Sequence, residues 1–187
     1  MNIMDGPDSW KIPFFWRKLF IYFWIFSLLG HYFEVVGAYL IHFIVNNALW
    51  HPETMTTIPL AVPYGIGAVA SILLVGDLAR SRKLNFIEVF IVNTVICSVI
   101  EYTCAAILIN FYGHNKYWDY SDSFMNLDGY ICLEASLVFG ILSTIFIYFI
   151  YPATENIFKK ISKGQADALF WSMLIAYSID LVDSYIK

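Results

Sequence analysis

The feature that most constrains this chain is the recurrence of apolar stretches long enough to cross a lipid bilayer. Roughly 20 residues suffice, at a rise of about 1.5 Å per helical residue. Positions 19–46, 62–79, 86–110, 131–151 and 168–185 each come close to or exceed that length. Backbone amides in hydrocarbon must satisfy one another within a helix, so the expectation is an all-α, polytopic transmembrane bundle of about five spans. The separators are breakers and charges: Trp50, Pro52 and Pro59 after the first span, Arg80-Ser81-Arg82-Lys83 after the second, and Pro152, which is expected to stop the fourth. No internal repeat is evident, so residues 1–187 are read as one integral membrane domain.

Composition agrees with this reading and removes some function classes. With 59% hydrophobic and 14% charged residues, the chain has more apolar surface than a water-soluble domain of 187 residues can bury. The net charge of −4 and the lack of a basic stripe exclude nucleic acid as a partner. Cys97, Cys104 and Cys132 all fall in apolar segments without C-x-x-C spacing and read as buried thiols. The amino-terminal stretch carries Asp5 and Asp8 before any Lys, so it does not read as a secretory signal peptide.

Lys and Arg set an orientation, because loops rich in them stay on the cytoplasmic side. Lys11, Arg17 and Lys18 precede the first span, and none lies between the first and second. Three lie between the second and third, Lys116 alone between the third and fourth, and Lys159, Lys160 and Lys163 between the fourth and fifth. The alternation predicts a cytoplasmic amino terminus and an extracytoplasmic carboxy terminus. It also makes residues 111–130 an extracytoplasmic loop.

That loop holds the least filler-like words of the sequence: Tyr117-Trp118-Asp119-Tyr120-Ser121, then Asn126 and Gly129, then Ile131-Cys132-Leu133. Aromatic rings, a carboxylate and turn formers directly before an apolar run suit a folded loop seated on the end of a helix. Acidic residues inside the spans point to function, since each is costly in a bilayer. Ser27, His31, Glu34, Ala38 and His42 share one face of the first span at spacings of three and four. Asn93, Cys97, Glu101 and Cys104 do so on the third, and Ser172, Ala176, Asp180 and Asp183 on the fifth.

With no Lys or Arg inside the spans at that level, the acids must share protons, hydroxyls, His31, His42 or a bound cation. The resulting hypothesis is an outward-facing acidic cavity under the Trp118 loop, using Glu34, Glu101, Asp119 and Asp180 with His31, Tyr64, Trp118 and Tyr120. Simpler roles stand beside it. Glu34 and Glu101 can be protonated acids that bond between helices, Asp119 can cap its loop, Asp183 can reach water, and Glu134 can snorkel away from the face of Cys132, Ser136, Gly140 and Ser143. His31-x-x-Glu34 can be drawn as a metal pair but lacks matching ligands elsewhere. No cofactor is evident beyond a bound cation or metal.

At these residues the chain resembles the CmpB-type ABC-transporter permease family of small multi-pass bacterial membrane proteins. The resemblance runs from about Phe20 to Pro152. It rests on Gly30 with Glu34, Pro63-Tyr64-Gly65, Glu101-Tyr102, Trp118-Asp119-Tyr120-Ser121, and Asn126 with Gly129, Ile131, Cys132 and Leu133, continued by Ser136, Gly140 and Pro152. Where the family pattern usually has Arg, this chain has Tyr130, which removes a natural partner for nearby acids. The resemblance implies a transport component in the bacterial cytoplasmic membrane. The chain has no G-x-x-x-x-G-K-[ST] loop, so an ABC role requires a separate ATPase subunit.

Three functions fit these features. The first is a transport component with a small-molecule, lipid or ion substrate. The second is a membrane enzyme or binder acting on a lipid-linked or cationic molecule. The third is an accessory subunit, or a homo-oligomer, packed through the small residues Gly65, Gly67, Ala68 and Ser71.

Overall fold

A computed structural model describes residues 15–45, 57–114 and 117–186, with side chains of 38–45 and 184–186 left aside. Five helices account for nearly all of it: α1 (Phe15–Val45), α2 (Val62–Arg80), α3 (Phe86–Tyr112), α4 (Leu133–Phe158) and α5 (Lys163–Ile186). Among the described residues there is no strand, only an isolated bridge between Leu127 and Ile131. α3 lies against α4, α1 against α2, and α5 along α1, while α2 touches α1, α3 and α4.

Local chemistry explains where the helices begin and end. Asn85 Oδ1 accepts from the Glu88 amide at 3.0 Å and the Asn85 amide donates to Glu88 Oε2 at 2.7 Å, a capping box that starts α3 at Phe86. Gly113, at φ +76°, ends it in the left-handed conformation. Ser162 and Gln165 form the equivalent exchange before α5, so that helix begins at Lys163, five residues ahead of the expected 168.

Pro152 does not stop the fourth helix, contrary to the sequence expectation. A π turn at Phe146–Ile150 precedes it, with the Tyr151 amide bonded to the Phe146 carbonyl five residues back. The wider turn absorbs the missing proline amide, and the helix continues to Phe158. A second π turn, Ile72–Gly76, interrupts α2.

Interhelical approach is close where the sequence supplies small residues. A Cβ on Gly65 would overlap Ser27 Oγ and the Phe23 carbonyl, one on Gly30 the Tyr64 ring, and one on Gly140 Thr94 Oγ1. The buried face of α3 is Val89, Asn93, Cys97, Glu101, Ala105 and Leu108, so the polar stripe read from sequence faces inward. Its opposite face, with Ile87, Ile91, Val95, Val99 and Ile107, is exposed in the manner of a surface solvated by lipid. The apolar core sits between the polar stripe and the Lys18 end, where Phe26 meets Phe146 at 4.3 Å over Ile72, Val75 and Val89.

α1 to α4 are each long and apolar enough to cross a membrane, over Phe15–Gly37, Val62–Arg80, Phe86–Tyr112 and Leu133–Phe158. α5 is a 24-residue helix carrying Lys163, Asp167, Asp180 and Asp183. It starts at the same end of the bundle as α1, since Arg17 pairs with Asp167 and Phe20 meets Phe170 at 5.2 Å. The expected stripe on α5 is not one buried face: Asp180 is buried, but Ser172 and Asp183 are exposed.

Candidate functional site

The loop between α3 and α4 is folded by its own polar groups. Asp119 Oδ1 accepts from the Ser121 amide at 2.9 Å and from Ser121 Oγ at 2.6 Å. Asn126 Nδ2 donates to the carbonyls of Ser121 and Ser123 at 3.0 and 3.1 Å, and its Oδ1 accepts from the Gly129 amide at 3.2 Å. Gly129 has φ +70°, and a Cβ there would run into Ser121 Oγ; only glycine holds that position without strain. Trp118 Nε1 donates to the Tyr130 carbonyl at 2.9 Å, and the Tyr102 hydroxyl donates to Asp128 Oδ2 at 2.8 Å. Tyr130, the residue that replaces the expected Arg, stacks beside Tyr102 with ring centres 5.1 Å apart.

This rigid loop turns Tyr120 inward, where its hydroxyl donates to Glu101 Oε1 at 3.0 Å. The Tyr64 ring packs against Gly30, one helical turn before Glu34 on α1, where a Cβ would overlap it. Tyr120 thus ties the loop to α3, and Tyr64 ties α2 to α1. Glu101 is only 5% exposed, and its second oxygen, Oε2, is buried with no hydrogen-bond partner among the described residues. Burial and the neighbouring Glu101 push the Tyr120 phenol upward, so its proton stays in place as a donor.

The remaining predicted residues lie elsewhere or act differently. Asp119 is exposed, and the Ser121 hydroxyl and amide hold its carboxyl below the usual range; its role is to fold the loop. Asp180 accepts from the amides of Thr57 and Ile58 at 3.1 and 2.7 Å, fastening α5 to the segment that leads into α2. Trp118 braces the loop through the Tyr130 carbonyl. His31 Nδ1 is buried without a hydrogen-bond partner among the described residues. His42 lies outside the described side chains. Among the described residues no three His, Cys, Asp or Glu side chains could hold a metal ion, so the His31-x-x-Glu34 pair gains no third ligand there.

Below Glu101, polar contacts continue along α3 and α4. Ser98 Oγ donates to Ser136 Oγ at 2.9 Å, Cys97 Sγ meets Ser143 Oγ at 3.0 Å, and Asn93 Nδ2 approaches Thr144 Oγ1 at 3.5 Å. Cys97 and Cys132 are buried free thiols, as expected; Cys104 is half-buried.

One site was not anticipated from sequence. At the opposite end, Lys18 Nζ pairs with Glu155 Oε1 at 2.6 Å, and the Tyr22 hydroxyl donates to the same oxygen at 2.7 Å. Lys18 and Glu155 are each 5% exposed. The signal was available, since Lys18 and Tyr22 are one turn apart on α1. It was masked because Pro152, read as a helix stop, puts Glu155 outside the fourth span.

An all-helical bundle with four membrane-length apolar helices and a buried glutamate beneath a folded loop defines a polytopic integral membrane protein. Residues 21–185 match the family described as putative ABC-transporter type IV, the CmpB family, and the chain belongs to it. The match reaches past Pro152 through α5, so the fifth helix is part of the family's shared unit. No curated protein and no solved structure matches the chain.

Proposed function

We propose that this chain is the substrate-binding membrane component of a transport-type assembly, and that Glu101 receives a positively charged, hydrogen-bond-donating group such as a protonated amine. The observation that carries this reading is Glu101 Oε2, buried and without a hydrogen-bond partner among the described residues. The hydroxyl hydrogen of Tyr120 is already committed to Glu101. What stays open is carboxylate oxygen and tyrosine lone pairs, all acceptors, so the complementary ligand is a cation rich in donors. Tyr64, flanked by Phe139 at 5.2 Å and Phe33 at 6.5 Å, adds aromatic faces that favour a cation. Family membership supports a separate ATPase partner, because the chain itself lacks a nucleotide-binding loop.

The test is equilibrium binding to the detergent-purified protein, using ethylammonium as the donor-bearing cation and tetramethylammonium as a cation without donors. Ethylammonium should bind, tetramethylammonium should bind at least tenfold more weakly, and Glu101→Gln should lose the difference. Equal binding of both cations, unchanged by Glu34→Gln and Glu101→Gln, would overturn the reading. Purification from the native membrane should bring down an ATPase subunit in fixed ratio; a chain that always comes alone would remove the ABC part of the proposal.

A further inference from the structure

We infer that the Lys18–Glu155 contact is the latch of a gate: the structure is the state shut at the Lys18 end, and the last part of α4, Tyr151–Phe158, swings away from α1 when the latch breaks. The inference rests on the transport-type reading above and goes beyond it to which end of the bundle opens and what holds it closed.

The Lys18 end is sealed by contacts that cross between helices. Lys18 Nζ meets Glu155 Oε1 at 2.6 Å, and the Tyr22 hydroxyl donates to the same oxygen at 2.7 Å. Beside them the Arg80 guanidinium of α2 donates to the Tyr151 hydroxyl at 3.3 Å. The rings of Tyr151 and Phe158 lie 5.6 and 5.5 Å from that of Tyr22, and Phe146 lies 4.3 Å from Phe26 behind them. Tyr22 is fully buried and Tyr151 is 2% exposed, so the seam between α1 and α4 is closed here to a hydrated cation. Further from Lys18 the filling changes: Ser27 Oγ, His31 Nδ1 and Glu101 Oε2 are buried with no hydrogen-bond partner among the described residues. A ligand that arrives from one end and leaves by the other requires the sealed end to open.

An ion pair suits a latch better than an apolar contact would. Its two charges lose their hydration on closing and recover little beyond that loss by pairing, whereas in an open seam water solvates both. Closed and open states therefore lie near each other in free energy, as a two-state element requires. The joint is built into the helix. α4 carries the π turn Phe146–Ile150 directly before Tyr151, and Pro152 brings no amide to the next turn, so few main-chain bonds tie Tyr151–Phe158 to the rest of α4. The π turn of α2, Ile72–Gly76, lies against it. Glu155 is one turn beyond this joint, so a bend there lifts its carboxylate off Lys18.

The experiment measures the distance across the seam. Spin labels are placed through Trp16→Cys and Ile157→Cys, exposed positions two residues from either side of the latch, in a chain whose Cys97, Cys104 and Cys132 are replaced by alanine. Pulsed electron resonance on the detergent-solubilised protein should give a dominant short distance for the intact latch, with a minor longer one. Tyr22→Phe, which keeps the ring and removes one hydrogen bond to a charged oxygen, should raise the long-to-short ratio about tenfold, and Glu155→Gln at least as much. Lys18→Met combined with Glu155→Gln leaves no buried charge and should return the chain to the short distance. One unchanged distance in all four proteins would overturn the gate and reduce the ion pair to a brace. Ethylammonium binding, measured on the same samples, separates this claim from the reading beneath it: binding without a change in distance overturns the gate alone, and a change in distance without binding overturns the transport reading and leaves the hinged motion standing. Tyr22→Phe conserves the core packing, so poor folding of a charge variant does not decide the outcome.

Discussion

At the scale of single residues, the two ends of the bundle treat their charges in opposite ways. Lys18 and Glu155 neutralise each other, and Tyr22 takes a second bond to the same Glu155 oxygen, itself accepting from Thr154 Oγ1 at 3.0 Å. Removing one partner strands the other in a dry site. Glu155→Gln or Lys18→Met should each destabilise the protein by about 3–5 kcal/mol, seen as a lower midpoint of thermal unfolding in detergent. The double replacement should recover much of the loss, since no unpaired charge then remains. Asp119 offers a different test because it faces water. Its folded carboxyl titrates below the usual range, so the bonds to Ser121 contribute order above that range and lose it as pH falls through the depressed value. Protection of the Tyr120 and Ser121 amides, taken relative to the intrinsic exchange rate at each pH, should fall on acidification, and Asp119→Ala should show the low protection already at neutral pH. An acid-insensitive loop would contradict that role.

Among elements, α3 and α4 owe their close approach to Gly140, whose missing side chain makes room for Thr94 Oγ1. Gly140→Leu should force the pair apart, lowering stability by about 1–3 kcal/mol or more and exposing Cys97 to thiol reagents that wild-type protein excludes. The π turn before Pro152 has a positional consequence. Each residue inserted into a helix rotates the remainder of that helix by about 100°, and this rotation sets Thr154 and Glu155 against Tyr22. Pro152→Ala restores an amide that favours an ordinary α turn, so it should weaken the Tyr22–Glu155 contact and lower thermal stability, although alanine is the better helix former. A gain in stability would show that the π turn does not depend on the proline.

For the whole molecule, α5 decides how many times the chain crosses. It is less apolar than the other four helices, yet Asp167 is paired with Arg17 and Asp180 with two amides, which removes much of the cost of placing those acids along the bundle. α5 should therefore span. A tag appended after Lys187 should be reached from the face opposite a cysteine placed at Lys160; labelling of both from one face would leave four crossings. Much of this architecture was legible in the sequence. The apolar runs, the basic loops and the inward stripe of Asn93, Cys97 and Glu101 follow from local composition and helical period, and those properties do not depend on neighbours. The loop motif likewise announced a folded turn, because Gly129, Asn126 and Asp119 are chosen by short-range hydrogen bonding. Which acids share a site was not legible. Glu101, Asp119 and Asp180 look equivalent as letters, and only packing separates them into a buried acid bonded by Tyr120, a loop brace and a helix fastener. The physical reason is range: secondary structure is written in contacts a few residues apart, whereas the environment of a carboxylate depends on helices more than sixty positions away, brought together by glycines whose effect appears only once two backbones meet.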